Sequence, residues 1–409
     1  MNPHLKNTLT LLTGSGISQV IPLISAPILA FYYSPEAFGV FGTFLAITST
    51  LAILFNLRYD LAIIETKFRV EAYQILKGTF LFGILMMLIS YLIIALFLFF
   101  SKKDFELRNV ILLIPISSFI ISQNNAFNAI LNRQKLFQER SVLLILNNSG
   151  QVIFSLFLKF ASKTGLILGN ILGGLLILSI HLKKSFKLIS KRKFEYSIFK
   201  KFINFPKFIL PSTLLEKIST NLPLIFMLDT FGAVNTGLFV FASRITSAPI
   251  GMLTLSIGEV YRQRASELFN SGKKIDKLYY QTLGYLILIA LVIVVILNSF
   301  SGFLIEFFFD EEYYESVKII KVISIMIGFN LCSTSLSYTI VYANLHRYDT
   351  FLQIIRLSLV VISILIGGFY QSFDLFVKSF VLSYCIFYML HSLLQSYSLR
   401  IISNEKRIS

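Results

Sequence analysis

The stretch "FGVFGTFLAITSTLAIL" (38–54) decides the fold. It carries no charge, and its only polar residues are Thr43, Thr48, Ser49 and Thr50. Within the interval 37–57 it is long enough to cross a hydrocarbon layer of about 30 Å as a helix. The stretch "TGLFVFASRITSAPIGML" (236–253) echoes it at an offset of 198: Gly39 meets Gly237, Phe41 meets Phe239, and Ile47-Thr48-Ser49 meets Ile245-Thr246-Ser247. A weaker echo links "AILNRQKLF" (129–137) to "VYANLHRYD" (341–349). A repeat with an even number of spans keeps its orientation, so its copies are related by an axis along the membrane normal. The identities are few, and chance similarity among apolar helices is the alternative.

The whole chain reads the same way. Of 409 residues 55% are hydrophobic and 14% charged, and mean hydropathy is +0.74. An ordinary soluble domain carries about a quarter charged residues. Twelve spans follow, at roughly 8–31, 37–57, 73–100, 107–131, 140–160, 163–182, 206–229, 235–259, 280–304, 317–341, 350–370 and 376–399. The runs do not alternate, which excludes a β-barrel. The expected fold is therefore an all-α polytopic membrane protein with two six-helix lobes related by a pseudo-twofold axis along the membrane normal. The lobes would be 1–182 and 206–400, with a basic cytoplasmic linker at 183–205 and a tail at 401–409.

The net charge of +16 implies no nucleic-acid partner, because the basic residues lie in short loops. With the N-terminus inside, 27 of the 37 Lys and Arg fall on the cytoplasmic side and 8 outside, leaving Lys217 and Arg244 within spans. That bias places both termini in the cytoplasm. The start of the chain reads as an uncleaved first span. Cys332 and Cys385 lie in apolar segments without metal or redox spacing, and the four His are scattered. No cofactor, metal site or catalytic constellation is expected, and the chain does not read as an enzyme.

Several stretches, in order along the chain, resemble the bacterial polysaccharide flippases of the multidrug/oligosaccharidyl-lipid/polysaccharide exporter superfamily. They are "GSGISQVIPLISAPILAFYYSPEAFGVFGTFLAITSTLAILFNLRYDLAI" (14–63), "FPKFILPSTLL" (205–215), "ASRITSAPIGMLTLSIGEVYRQRASEL" (242–268) and "FFDEEYYESVKIIKVIS" (308–324). The family more often has Glu where this chain has Asp60. The resemblance implies alternating access that carries undecaprenyl-diphosphate-linked oligosaccharide repeat units, of O-antigen or capsule type, from the inner to the outer face of the cytoplasmic membrane. Partners implied are that lipid-linked substrate and the bilayer, with a polysaccharide polymerase and a chain-length regulator as candidate protein partners.

Residue chemistry accords with an anionic, sugar-bearing cargo. Lys217 and Arg244 sit inside spans, where each costs about 2.5–3.5 kcal/mol to insert near the helix centre. Contact with a diphosphate or acidic sugar is one reading; snorkelling or a structural ion pair is the other. Glu216 is either a proton-coupling carboxylate or a structural partner. Arg58 and Asp60, at the inner end of span two, are interfacial anchors or, by the resemblance, part of a gate or cavity mouth. Asn124, Asn128 and Asn132 form a stripe on span four with Gln123 and Asn125 beside it, and Asn147, Asn148 and Gln151 continue on span five. Amides suit sugar hydroxyls; interhelical hydrogen bonding is the equal alternative. Pro22 and Pro27 in span one, and Pro206, Pro211 and Pro223 in span seven, mark bent, gating helices. The rivals are a multidrug exporter of the same superfamily, for which a smaller cavity with acidic residues would be expected, another lipid-linked exporter of that superfamily, such as a flippase for the peptidoglycan precursor, which typically has two more spans, and a membrane-embedded polymerase or acyltransferase, for which a large outer loop or a catalytic His or Asp would be expected.

Overall fold

The computed structural model describes residues 18, 20–100, 106–190, 195–343 and 345–408. Among them every regular element is helical. In chain order they are α1 (Val20–Tyr32), α2 (Pro35–Asn56), α3 (Tyr59–Glu65), α4 (Arg69–Phe100), α5 (Ile114–Arg133), α6 (Phe137–Phe157), α7 (Gly165–Ser190), α8 (Tyr196–Lys201), α9 (Leu210–Asn270), α10 (Asp276–Phe308), α11 (Ser316–Ser335), α12 (Tyr338–Tyr342), α13 (His346–Tyr370) and α14 (Phe373–Ile408). Each predicted span coincides with a helix, the first from Val20 onward. Among the described residues eight helical stretches are long and apolar enough to cross a membrane, and one of them, 205–269, holds two predicted spans. The polar spans α5 and α6 fall outside those eight; they carry the Asn, Gln and Ser residues that lower hydropathy.

Local chemistry sets the breaks. Helix α9 is interrupted at Gly232, whose φ of 80° and ψ of 172° lie in a region open essentially to glycine alone. This separates 210–231 from 233–270. A π-helical turn, Phe205–Ile209, carries Pro206 into α9. The end of α2 is unusual in lacking glycine: Leu57 and Arg58 are both left-handed (φ 47° and 60°) and turn the chain into α3. The basic segment expected as a linker is partly helical, since α7 runs on to Ser190 and α8 follows; residues 191–194 lie outside the described residues.

Packing divides the chain into two compact units, 1–237 and 238–409. This division differs from the one at 183–205, which follows the repeat. The seventh span joins the first unit because it is bonded to α2. Asn221 Nδ2 reaches the Ala46 carbonyl (3.0 Å), Ser49 Oγ (3.2 Å) and Thr50 Oγ1 (2.8 Å), and Thr43 Oγ1 donates to the Leu224 carbonyl at 3.3 Å. Helices in lipid gain little from hydrophobicity against each other, so such bonds and close packing hold them. Asn56 and Ser122 exchange two bonds of 2.7 Å between α2 and α5, and Gln123 Nε2 donates to the Thr79 carbonyl of α4 at 3.3 Å.

The repeat is visible in contacts inside the first unit. A Cβ on Gly39 would lie 2.1 Å from the Ala233 carbonyl oxygen and 2.9 Å from the Gly237 nitrogen. A Cβ on Gly237 would lie 1.6 Å from the Pro35 carbonyl oxygen and 3.0 Å from the Gly39 nitrogen. At the 198-residue offset Gly39 corresponds to Gly237 and Pro35 to Ala233, so the contact is reciprocal, as at a local twofold axis. Thr48 and Thr246, also equivalent, bond back to the equivalent carbonyls of Phe44 (2.9 Å) and Ala242 (2.7 Å).

The second unit packs α10 on α11 and α13 on α14. Tyr313, from the motif 308–324, is 1% exposed, with its ring 4.4 Å from that of Phe241.

Candidate functional site

The first unit contains a cleft of about 150 Å³ between α5, α6 and α7. Its polar lining is Ser117, Asn124, Asn125, Asn128, Asn147 and Asn170. That size equals a cavity that holds benzene, or about five waters. Among the described residues no charged side chain lines it. Asn124 is oriented by a bond from its Nδ2 to the Gly174 carbonyl (3.0 Å), while its Oδ1 is buried and unpartnered. The α6–α7 wall is tight, because a Cβ on Gly173 would lie 2.8 Å from the Gln151 nitrogen. The cleft therefore offers several amides to a neutral ligand rich in hydroxyl or amide groups.

The structure brings together Asn124 and Asn128 from the predicted stripe, along with Asn125 and Asn147. It places the other amides elsewhere. Gln123 faces α4, Asn132 accepts from Arg140 (3.0 Å), and Asn148 donates to the Ser18 carbonyl. Gln151 does not line the cleft; its backbone forms the seam with Gly173. Asn170 escaped the sequence reading. Its signal is a single amide in the apolar run "GLILGNILGGLL" (165–176).

Arg58 and Asp60 form an ion pair of 3.3 Å where α2 breaks into α3. Burial pushes the Asp60 carboxyl up, against the opposing pull of Arg58 and two backbone N–H groups. Asp60 Oδ1 and Arg58 Nε are buried without partners, so the pair is only partly satisfied. Nearby, Arg133 Nε donates to Thr66 Oγ1 (2.6 Å) and its Nη2 to the Thr66 carbonyl (3.2 Å), fastening α5 to the end of α3.

Lys217, in the first unit, and Arg244, in the second, are each half-buried on apolar helices. Among the described residues neither has an ion-pair or hydrogen-bond partner. Glu216 is exposed, and its carbonyl accepts from Thr220 (2.9 Å). Pro22 and Pro27 lie half-buried in α1, where Ser25 Oγ donates to the Pro22 carbonyl at 3.2 Å. In α9, Pro211 is exposed and Pro223 buried. The hydroxyls of Ser212 (2.9 Å) and Thr213 both recapture the Ile209 carbonyl beside the π turn.

Against this geometry the comparisons are informative. A family model for polysaccharide biosynthesis proteins matches residues 4–261, more than half of the chain. The chain belongs to the polysaccharide biosynthesis protein family. No curated protein matches it. This polysaccharide biosynthesis protein is similar in fold to the inward-facing conformation of a multidrug resistance MATE family transporter of the MOP superfamily. That likeness has a TM-score of 0.73 at 14% identity and covers 94% of this chain and 96% of the other. It is equally similar to the lipid II flippase MurJ in an inward closed conformation, with TM-score 0.73, 18% identity and coverage of 98% and 91%. A MOP superfamily transporter from Pyrococcus furiosus, described as having a binding pocket of reverse polarity, gives 0.64 at 13% identity over 98% and 96%. The polysaccharide biosynthesis protein is thus a multi-pass membrane protein with the two-lobed, twelve-helix fold of those transporters and flippases.

Proposed function

We propose that the protein is a flippase that moves undecaprenyl-diphosphate-linked oligosaccharide repeat units from the inner to the outer face of the cytoplasmic membrane by alternating access between two six-helix lobes. The observation that carries this reading is that Lys217 and Arg244, two cations on apolar helices, have no ion-pair or hydrogen-bond partner among the described residues. A charge within a span is retained against its insertion cost where a ligand of opposite sign completes it. A diphosphate is such a ligand, and the amide-lined cleft suits the hydroxyls of an attached sugar. A carrier of cationic drugs calls for the opposite sign. Arg58 and Asp60 would act at the cavity mouth, Glu216 in coupling, and the prolines of α1 and α9 in bending.

In cells that lack the chain, lipid-linked oligosaccharide should accumulate in the inner leaflet and surface polysaccharide should disappear. Expression of the chain should reverse both. Normal appearance of the oligosaccharide on the outer leaflet without the chain would overturn the proposal.

The same reading places both termini in the cytoplasm. A reporter active only there should work when fused after Arg192, in the part of the basic segment outside the described residues, and fail after Glu312, in the turn Glu311–Tyr313. The reverse at either position would refute this topology.

A further inference from the structure

Four carboxamides meet in the cleft of the first unit without bonding to the protein. Asn125 and Asn128 of α5, Asn147 of α6 and Asn170 of α7 line it, and among the described residues none of these side chains has a hydrogen-bond partner. Other amides on α5 and α6 behave differently. Gln123 donates to the Thr79 carbonyl, Asn132 accepts from Arg140, and Asn148 donates to the Ser18 carbonyl, so each of them serves packing. The four in the cleft lie within the predicted spans 107–131, 140–160 and 163–182. A carboxamide has two N–H donors and a carbonyl acceptor, and leaving them unmet at hydrocarbon depth is costly. A polar occupant of the cleft meets them.

The rest of the lining narrows the choice of occupant. Ile121 of α5, Leu144 of α6 and Ile171 of α7 form the apolar part of the wall. Water gains nothing from such a surface. A pyranose ring has C–H faces to lay against it and hydroxyl groups around its edge to meet the amides. The volume of about 150 Å³ is that of a cavity that holds one six-membered ring, so one sugar enters and any others stay outside. Among the described residues neither an aromatic nor a charged side chain lines the cleft. A flat aromatic ligand therefore finds no ring to stack on, and a carboxylate or diphosphate would lose its water with no cation in exchange.

We propose that this cleft selects a neutral pyranose of the lipid-linked repeat unit, with Asn125, Asn128, Asn147 and Asn170 as its specificity-determining residues. The inference rests on the flippase reading and deepens it, because it divides recognition of the cargo between two kinds of group. The diphosphate is met by cations, and neither Lys217 nor Arg244 lines the cleft. The sugar is met by amides, which pair with hydroxyls as donors and as acceptors. A uronic acid has the same ring and nearly the same size as the neutral sugar, and it is rejected on charge alone.

The test uses the full-length protein in phospholipid nanodiscs, which keeps sugar-headed detergents out of the sample. Saturation-transfer NMR is recorded with the methyl glycosides of glucose, galactose and mannose, and with methyl glucuronide. At least one neutral glycoside should receive saturation from the protein, and the glucuronide should bind at least about tenfold more weakly than that one. The double variant Asn128→Leu/Asn170→Leu removes amides from two walls and should abolish the transfer. It should still fold, as its melting temperature will show, because neither side chain has a protein partner among the described residues. Asn147→Leu, on the third wall, should weaken the transfer by itself. No transfer to any of the neutral glycosides would overturn the proposal and leave water as the occupant. Equal binding of the glucuronide, or transfer that survives the double substitution, would also overturn it. Neither result touches the flippase reading, which is decided by accumulation of lipid-linked oligosaccharide in cells that lack the chain.

Discussion

Gly237→Ala should be among the most damaging single substitutions in this protein. Its methyl would sit 1.6 Å from the Pro35 carbonyl oxygen, and the obstacle is backbone, which cannot rotate aside as a side chain can. The two segments must move apart by more than an ångström, which also weakens the bonds from Asn221 to α2. Overpacking ordinarily costs 1–3 kcal/mol, and we expect about 3 kcal/mol here, seen as a clear drop in melting temperature of the solubilised protein. Gly39→Ala meets the Ala233 carbonyl at 2.1 Å and should behave alike. Because one separation accommodates both methyls, the double variant should lose much less than the sum of the single losses. The control is Gly284→Ala or Gly302→Ala in α10, where a Cβ meets nothing within 4 Å. Alanine favours helix over glycine by up to about 1 kcal/mol, so these should melt at or above the wild-type temperature. Wild-type melting of Gly237→Ala would refute the close contact.

Lys217→Ala and Arg244→Ala should abolish most surface polysaccharide while the membrane level of the protein stays normal. Neither side chain has a partner among the described residues, so removing it orphans no opposite charge and should not cost stability. Lys217→Arg and Arg244→Lys should keep partial export, since each retains a cation while changing its shape and hydrogen-bond geometry. Surface polysaccharide and protein abundance measured side by side separate the possibilities. Lost abundance would mean a structural ion pair. Full export by the double alanine variant would sink the cationic mechanism and leave the fold and family unaffected.

The spans were legible because hydropathy over 20 residues depends on composition alone and not on what each helix touches. The repeat was legible for a further reason: Gly39 and Gly237 coincide in alignment because they meet in space, where only glycine fits. The cleft was legible in part. An i, i+4 spacing states which face of a helix Asn124 and Asn128 share, and they do line one cleft. It does not state what lies opposite, so Gln123, one residue away, turns to the Thr79 carbonyl, and Asn148 ties to Ser18. Asn170 lacked a periodic companion and went unnoticed. The left-handed pair Leu57–Arg58 left no trace in sequence, since neither residue is one that ordinarily adopts that conformation.

The single-residue break at Gly232 has a practical consequence for handling the protein. Two successive spans are joined there with almost no intervening chain, so a protease has no extended peptide to grip and an affinity tag has no loop to enter. Insertion at Gly232 would force both flanking helices to unwind, whereas the turn around Glu311–Tyr313 has exposed acidic side chains beside the buried Tyr313. Accessible handles are thus better sought around Glu311 and Glu312, with Tyr313 left in place.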